Sequence, residues 1–137
     1  MFKLVKIKDS RTNVPEPEIF ETSGVDEFIP GLVYYITKTG ISMNSSGDDN
    51  TKIIPLEYIP ADSGIKRLRG YIVTEDMVFE TDIYGDTSGV KVGKRVCGYV
   101  DAETRLIGVD AYEGTEAMIL NTTSMKDERK VLVALKF

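Results

Sequence analysis

The chain contains no histidine and no tryptophan, and its only cysteine is Cys97. Without histidine there is no Ser-His or Cys-His catalytic pair, no His-Glu-x-x-His zinc site and no histidine pH switch. One cysteine excludes an intrachain disulfide and a cysteine-rich metal cluster. Long apolar runs are also missing. The longest uninterrupted ones, residues 32–36 and 131–135, fall far short of the roughly 20 residues of a spanning helix. Runs of basic residues stop at two: Lys66-Arg67, Lys94-Arg95 and Arg129-Lys130. The opening residues, Met1-Phe-Lys-Leu-Val-Lys-Ile-Lys8, place lysines where a signal peptide needs an apolar core. The expectation is a protein that works where it is made or leaves by assembly rather than secretion.

What is present is a chain of 137 residues with 42% hydrophobic and 28% charged residues. That is the size and composition of one globular domain able to bury a core without staples. Seventeen Lys and Arg stand against twenty-two Asp and Glu, a formal charge of −5. Nucleic-acid binders need a basic footprint to displace counterions from phosphates. The acidic balance therefore predicts no nucleic-acid partner, and the short apolar runs predict no membrane partner.

Glycine and proline punctuate the chain at short intervals, with runs of Val, Ile, Tyr, Phe and Thr between them. Such runs predict strands. They fall at residues 2–8, 32–37, 41–44, 53–59, 70–73, 78–83, 95–100, 105–109, 117–121 and 130–137. In the last, Val131, Val133, Leu135 and Phe137 share one face by period-two alternation, and that face is expected in a core. Pro55 cannot donate to a ladder, so 53–59 is read as an edge strand or a broken one. Helix signals are confined to single turns near 62–68 and 124–129. The fold expected is all-β: a small barrel or sandwich of short, mostly antiparallel strands with an extended N-terminal segment.

Residues 9–30 read differently. They hold Pro15, Pro17 and Pro30, and six acids against the single base Arg11. Residues preceding proline are pushed toward extended geometry. Residues 1–27 are read as an N-terminal strand and a proline-marked arm or crossover, with a short strand around Ile19 and Phe20. Residues 28–137 are read as the β-barrel, one domain overall.

The chemistry-bearing patterns fail on their spacing. The stretch from Gly85 to Lys94 is glycine-rich, but a phosphate-binding loop needs glycine at 88 and Ser or Thr at 95, where Ser88 and Arg95 stand. The oxygen clusters Asp48-Asp49-Asn50 and Asp82, Asp86, Ser88 lack the order of a calcium loop. Glu80 and Asp82 share a strand face, the arrangement of solvated acids rather than of an acid-base pair across a glycoside. Ser124 and Lys126 lie in an expected turn. Cys97 lies in a strand context that predicts an inert thiol. The seven tyrosines suit packing at a core rim, or an interface that is apolar at one end and wet at the other. The sequence therefore predicts no enzyme, cofactor or metal.

One ordered set of short motifs is familiar. Pro30-Gly31, Gly40 and Ile54-Pro-Leu-Glu-Tyr-Ile59 precede Val73-Thr-Glu-Asp-Met-Val-Phe-Glu80, followed by Val90-Lys-Val-Gly-Lys-Arg-Val96 and a Val-rich strand ending in Phe137. Over residues 28 to 137 this order resembles the small head decoration, or capsid-stabilising, proteins of tailed phages. It is similar in outline to the lambda-type decoration proteins. The chain departs from the pattern at residues 101–108, where Asp-Ala-Glu-Thr-Arg replaces a glycine hairpin, and at the polar loop 44–50.

The resemblance implies a small β-barrel without catalytic residues on the capsid exterior of a virion, made in the host bacterial cytoplasm. Its partner would be the major capsid protein, and a homotrimer would suit local three-fold positions of the lattice. The gripping element expected is residues 1–20, with Phe2, Leu4, Pro15, Pro17, Ile19 and Phe20 at the partner interface. Another virion module (tail, baseplate or head fibre) and a carbohydrate- or small-ligand-binding β-domain stay open beside it.

Overall fold

A computed structural model describes residues 1–8, 16–37, 40–42, 51–102 and 105–137. The expected all-β architecture is there. Its strands are β1 (Lys3–Ile7), β2 (Glu18–Glu21), β3 (Tyr34–Thr37), β4 (Gly40–Ser42), β5 (Lys52–Pro55) and β6 (Arg67–Ile72). They continue with β7 (Met77–Tyr84), β8 (Arg95–Val100), β9 (Leu106–Glu113), β10 (Ala117–Asn121) and β11 (Lys130–Ala134). One helical turn, α1 (Met125–Glu128), precedes β11.

The strands form two sheets. In the first, β7, β11, β10, β8 and β9 lie in that order, and β9 returns to β7 by a short parallel pairing, Ile83↔Val109 and Tyr84↔Asp110. That pairing closes a five-stranded barrel. Closure removes free sheet edges, the usual hazard of small β-proteins. It also needs Gly108: a Cβ there would sit 2.9 Å from both the Asp82 carbonyl oxygen and the Tyr84 ring. β1 shares an edge of β7 with β9, pairing antiparallel over Lys3↔Glu80 to Ile7↔Met77. A register shift between Leu4 and Lys6, with Lys3 and Lys6 exposed, guards this appended strand.

The second sheet runs β2-β6-β5-β3-β4 and curls into a half-barrel. A single parallel bridge, Thr22↔Ile41, draws its two ends together. Each sheet has its own core. Phe79, Ile83, Val96, Ile119, Val131 and Val133 fill the barrel. Phe28, Tyr34, Ile53, Ile59 and Leu68 fill the curl. Period-two alternation builds both. In β7, Phe79, Thr81 and Ile83 point inward while Glu80 and Asp82 stay half-exposed, as the sequence predicts.

Several sequence expectations shift. Pro55 ends a strand that lies inside the sheet, between β6 and β3, so the proline breaks the strand and marks no edge. The stretch 62–68 forms no helical turn. It leads into β6, which starts at Arg67 because Leu68 must alternate inward between two arginines. The single turn α1 is present. Phe137 is 41% exposed and leaves the inward set of Val131, Val133 and Leu135. Both described parts of residues 1–27 belong to sheets: β1 to the barrel, β2 to the curl.

Candidate partner-binding face

The curled sheet has an inner and an outer face, fixed by register. Tyr34↔Ile53 and Phe20↔Leu68 point into the curl. Tyr35↔Lys52, Ile54↔Tyr71, Ile19↔Arg69 and Glu21↔Arg67 point outward. The outer face divides into two halves. Tyr35 and Ile54, with Val33 and Val73, are buried in the barrel's core cluster, so one half is docked on the barrel. The other half carries Ile19, Glu21, Arg67, Arg69 and Tyr71. Its centre, Ile19, is 67% exposed.

Polar groups in the docked half are paired. Lys52 is the half-buried cation there. Its Nζ donates to the Leu135 carbonyl at 2.7 Å and to the Glu116 carbonyl at 3.2 Å, and lies 3.7 Å from Glu116 Oε2. Burial lowers the Lys52 pKa, and the Glu116 carboxylate opposes that fall. The Tyr35 hydroxyl donates to Glu116 Oε2 at 3.0 Å. Its pKa is raised by burial first and by the neighbouring Glu116 charge second. A second tie joins residues far apart in sequence. Arg105 Nη1 meets Glu27 Oε1 at 2.7 Å and its Nε meets Asp101 Oδ2 at 2.8 Å, while the Tyr58 hydroxyl donates to Glu27 Oε2 at 2.8 Å. The Val33 amide also donates to the Leu106 carbonyl at the start of β9.

In the exposed half the charged groups behave differently. The Arg67 and Arg69 side chains are exposed. Among the described residues neither guanidinium has a hydrogen-bond or ion-pair partner. Ile19 lies opposite Arg69 and Glu21 opposite Arg67. Gly70 holds this part of the sheet tight, since a Cβ there would sit 2.9 Å from the Ile54 carbonyl oxygen. The result is a firm strand pair bearing an apolar centre and two guanidinium forks.

The expected interface residues separate accordingly. Ile19 and Pro17 are exposed. Phe2 is 3% exposed and packs in the barrel core, because its amide is tied to the Gly31 carbonyl and its ring turns inward ahead of β1. Leu4 is half-buried against the same core. Phe20 packs on the inner core of the curl. Pro15 lies outside the described residues. Phe2, Leu4 and Phe20 are thus engaged by the protein's own cores. Arg67 and Arg69, which the sequence reading passed over, complete the exposed half. Their signal was present as Arg67-Leu-Arg-Gly70, a charged–apolar alternation inside what looked like a turn.

Among the described residues, Glu80 and Ser124 line one small cavity with Asn121 and Lys130, and the other sequence candidates are held by local contacts. Asp82 is held below the usual carboxylate range. Burial works against its ionisation, but hydrogen bonds from Lys130 and the Met1 ammonium outweigh that penalty. Asp86 caps the turn Thr87–Gly89 by accepting from the Ser88 amide. Asp48, Asp49 and Asn50 lie outside the described residues. Cys97 is half-buried, with its Sγ 3.0 Å from the Glu113 carbonyl. Among the described residues no three His, Cys, Asp or Glu side chains gather as metal ligands, and no helix is long and apolar enough to cross a membrane. Tyr84 and Tyr99 stack on each other at 3.8 Å between centroids, with Tyr84 lying over Gly108. Their facing surfaces are spent on the barrel wall.

No protein-family model, curated protein or solved structure matches the chain.

Proposed function

We propose that this protein is a structural, non-catalytic component of a phage virion. It decorates the capsid exterior and stabilises it by binding neighbouring major capsid subunits. The observation that carries the reading is the exposed outer half of the curled sheet, centred on Ile19. It is a firm apolar and arginine-bearing surface on a domain in which the Lys52–Glu116 and Arg105–Glu27 pairs tie the two sheets together. Arginine and aromatic residues around an apolar centre are the composition of protein–protein contacts. A decoration role asks for a compact body and a gripping face, and many weak copies on one shell gain strength from avidity. The resemblance of residues 28–137 to tailed-phage decoration proteins points the same way.

The test is co-sedimentation of the purified chain with shells assembled from a tailed-phage major capsid protein. Saturable binding at a fixed ratio to capsid subunits is the expected result. Absence of binding to complete shells, under conditions where the chain is folded, contradicts the role.

A further inference from the structure

We infer that the exposed half of the curled sheet's outer face recognises an extended, carboxylate-bearing segment of its protein partner, with two acidic side chains two residues apart meeting Arg67 and Arg69 beside the exposed Ile19. This rests on the decoration reading only for the partner's identity. The chemistry of the face stands on its own residues.

Spacing comes first. Arg67 and Arg69 are two positions apart on β6, with Leu68 buried between them. Side chains so placed leave one face of a strand about 6.5 Å apart. An extended segment laid along β6 repeats at the same distance, so acids at its positions i and i+2 meet both guanidiniums. Chemistry comes next. Arginine presents a planar fork that matches a carboxylate with two parallel hydrogen bonds, which a lysine cannot do. Both forks lack an internal partner among the described residues, so binding breaks no existing ion pair.

Charge complementarity selects among anions. The chain carries −5 overall, and Glu21 lies opposite Arg67 on the same face. A phosphate or a nucleic-acid backbone brings dense negative charge and is repelled by Glu21 and by the net charge. A singly charged carboxylate placed over each arginine meets less repulsion. Continuity supports the same surface: Tyr71, the register partner of Ile54, joins the exposed half to the half already docked on the barrel. There, Lys52 meets Glu116 in the same manner, a cation on the sheet's outer face facing an acid from outside the sheet.

The experiment has two arms. In the first, the full isotope-labelled chain is titrated with a synthetic peptide of alternating Asp and Val flanked by Thr. Its Lys-for-Asp counterpart, a single-stranded oligonucleotide and inorganic phosphate serve as comparisons. Amide shifts at 18–21 and 67–71 with the acidic peptide alone are the expected result, weakening as salt rises. Equal shifts with the lysine peptide, stronger shifts with the oligonucleotide or phosphate, or no shifts in these strands overturn the inference. In the second arm, Arg67→Ala/Arg69→Ala and the milder Arg67→Lys/Arg69→Lys join the shell co-sedimentation. The alanine pair is expected to weaken binding about tenfold or more and the lysine pair by less. Wild-type binding that is unchanged in the alanine pair overturns the inference and leaves the decoration role standing. Failure of the wild type to bind shells, with the peptide result intact, overturns the decoration role alone.

Discussion

The two halves of one sheet face make an instructive contrast. Both belong to the outer side of the curled sheet and follow the same period-two pattern. Where the barrel covers the face, Ile54 is buried and the cation Lys52 has three oxygen neighbours. Where the barrel stops, Ile19 stands open and Arg67 and Arg69 have no partner among the described residues. The comparison teaches that one strand pattern carries paired polar groups where a second layer covers it, and groups without a partner among the described residues where none does. The barrel supplies the cover for one half, and the uncovered half is the face proposed above as an intermolecular contact.

Mutations that separate the halves test the contrast. The largest effect is expected for Ile54→Ala, which should cost about 2–5 kcal/mol of stability in urea unfolding through lost burial and the cavity left behind. Next comes alkaline pH. Tyr34, buried in the curl, is raised to about 12, mainly by desolvation, and Tyr35 in the docked half is raised as well. Above the ordinary tyrosine value the unfolded chain gives up protons that the folded chain keeps. The Tyr34 stabilisation is full below pH 10 and lost as pH rises through about 12, and Tyr35 acts in the same direction. For Tyr34 alone the loss approaches about 2–3 kcal/mol. Urea midpoints measured across that range should fall, and less steeply in Tyr34→Phe.

Lys52→Met should cost about 1–3 kcal/mol, because the Leu135 and Glu116 carbonyls lose their donor inside the junction. A cost below that of an exposed lysine substitution would mean that Lys52 does not tie the halves together. The barrel interior holds one polar exception. The Thr81 hydroxyl is buried and has no hydrogen-bond partner among the described residues. Thr81→Val should therefore raise stability by about 1 kcal/mol, read as a higher unfolding midpoint. The smallest effects belong to the open half: Ile19→Ala and Arg69→Ala should stay within about 0.5 kcal/mol. A large loss of stability at either position would show that the protein itself uses that half.

Much of this architecture was legible where alternation was strong. Residues 95–100 and 117–121 form strands with the predicted bounds, each a short apolar run between turn residues. The division into two sheets was not legible. It depends on pairings distant in sequence, such as β1 with β7 and the parallel return of β9 to β7, and no local pattern encodes them. The same limit placed Phe2 at a surface, since an apolar residue at the head of a strand fits a core and a partner equally well. The proline-marked stretch correctly pointed to a short strand at Ile19 and Phe20. Arg67 and Arg69 were lost because Ile65-Lys-Arg-Leu68 has helix-like spacing, and only pairing with β2 decides for a strand.

The most direct test of the account is a cryo-EM reconstruction of the assembled particle at a resolution that places side chains. The account predicts this chain on the outside of the shell, with β2 and β6 turned toward the capsid subunits and acidic side chains of those subunits meeting Arg67 and Arg69. A particle in which that face points to solvent, with the contact made elsewhere on the barrel, contradicts it.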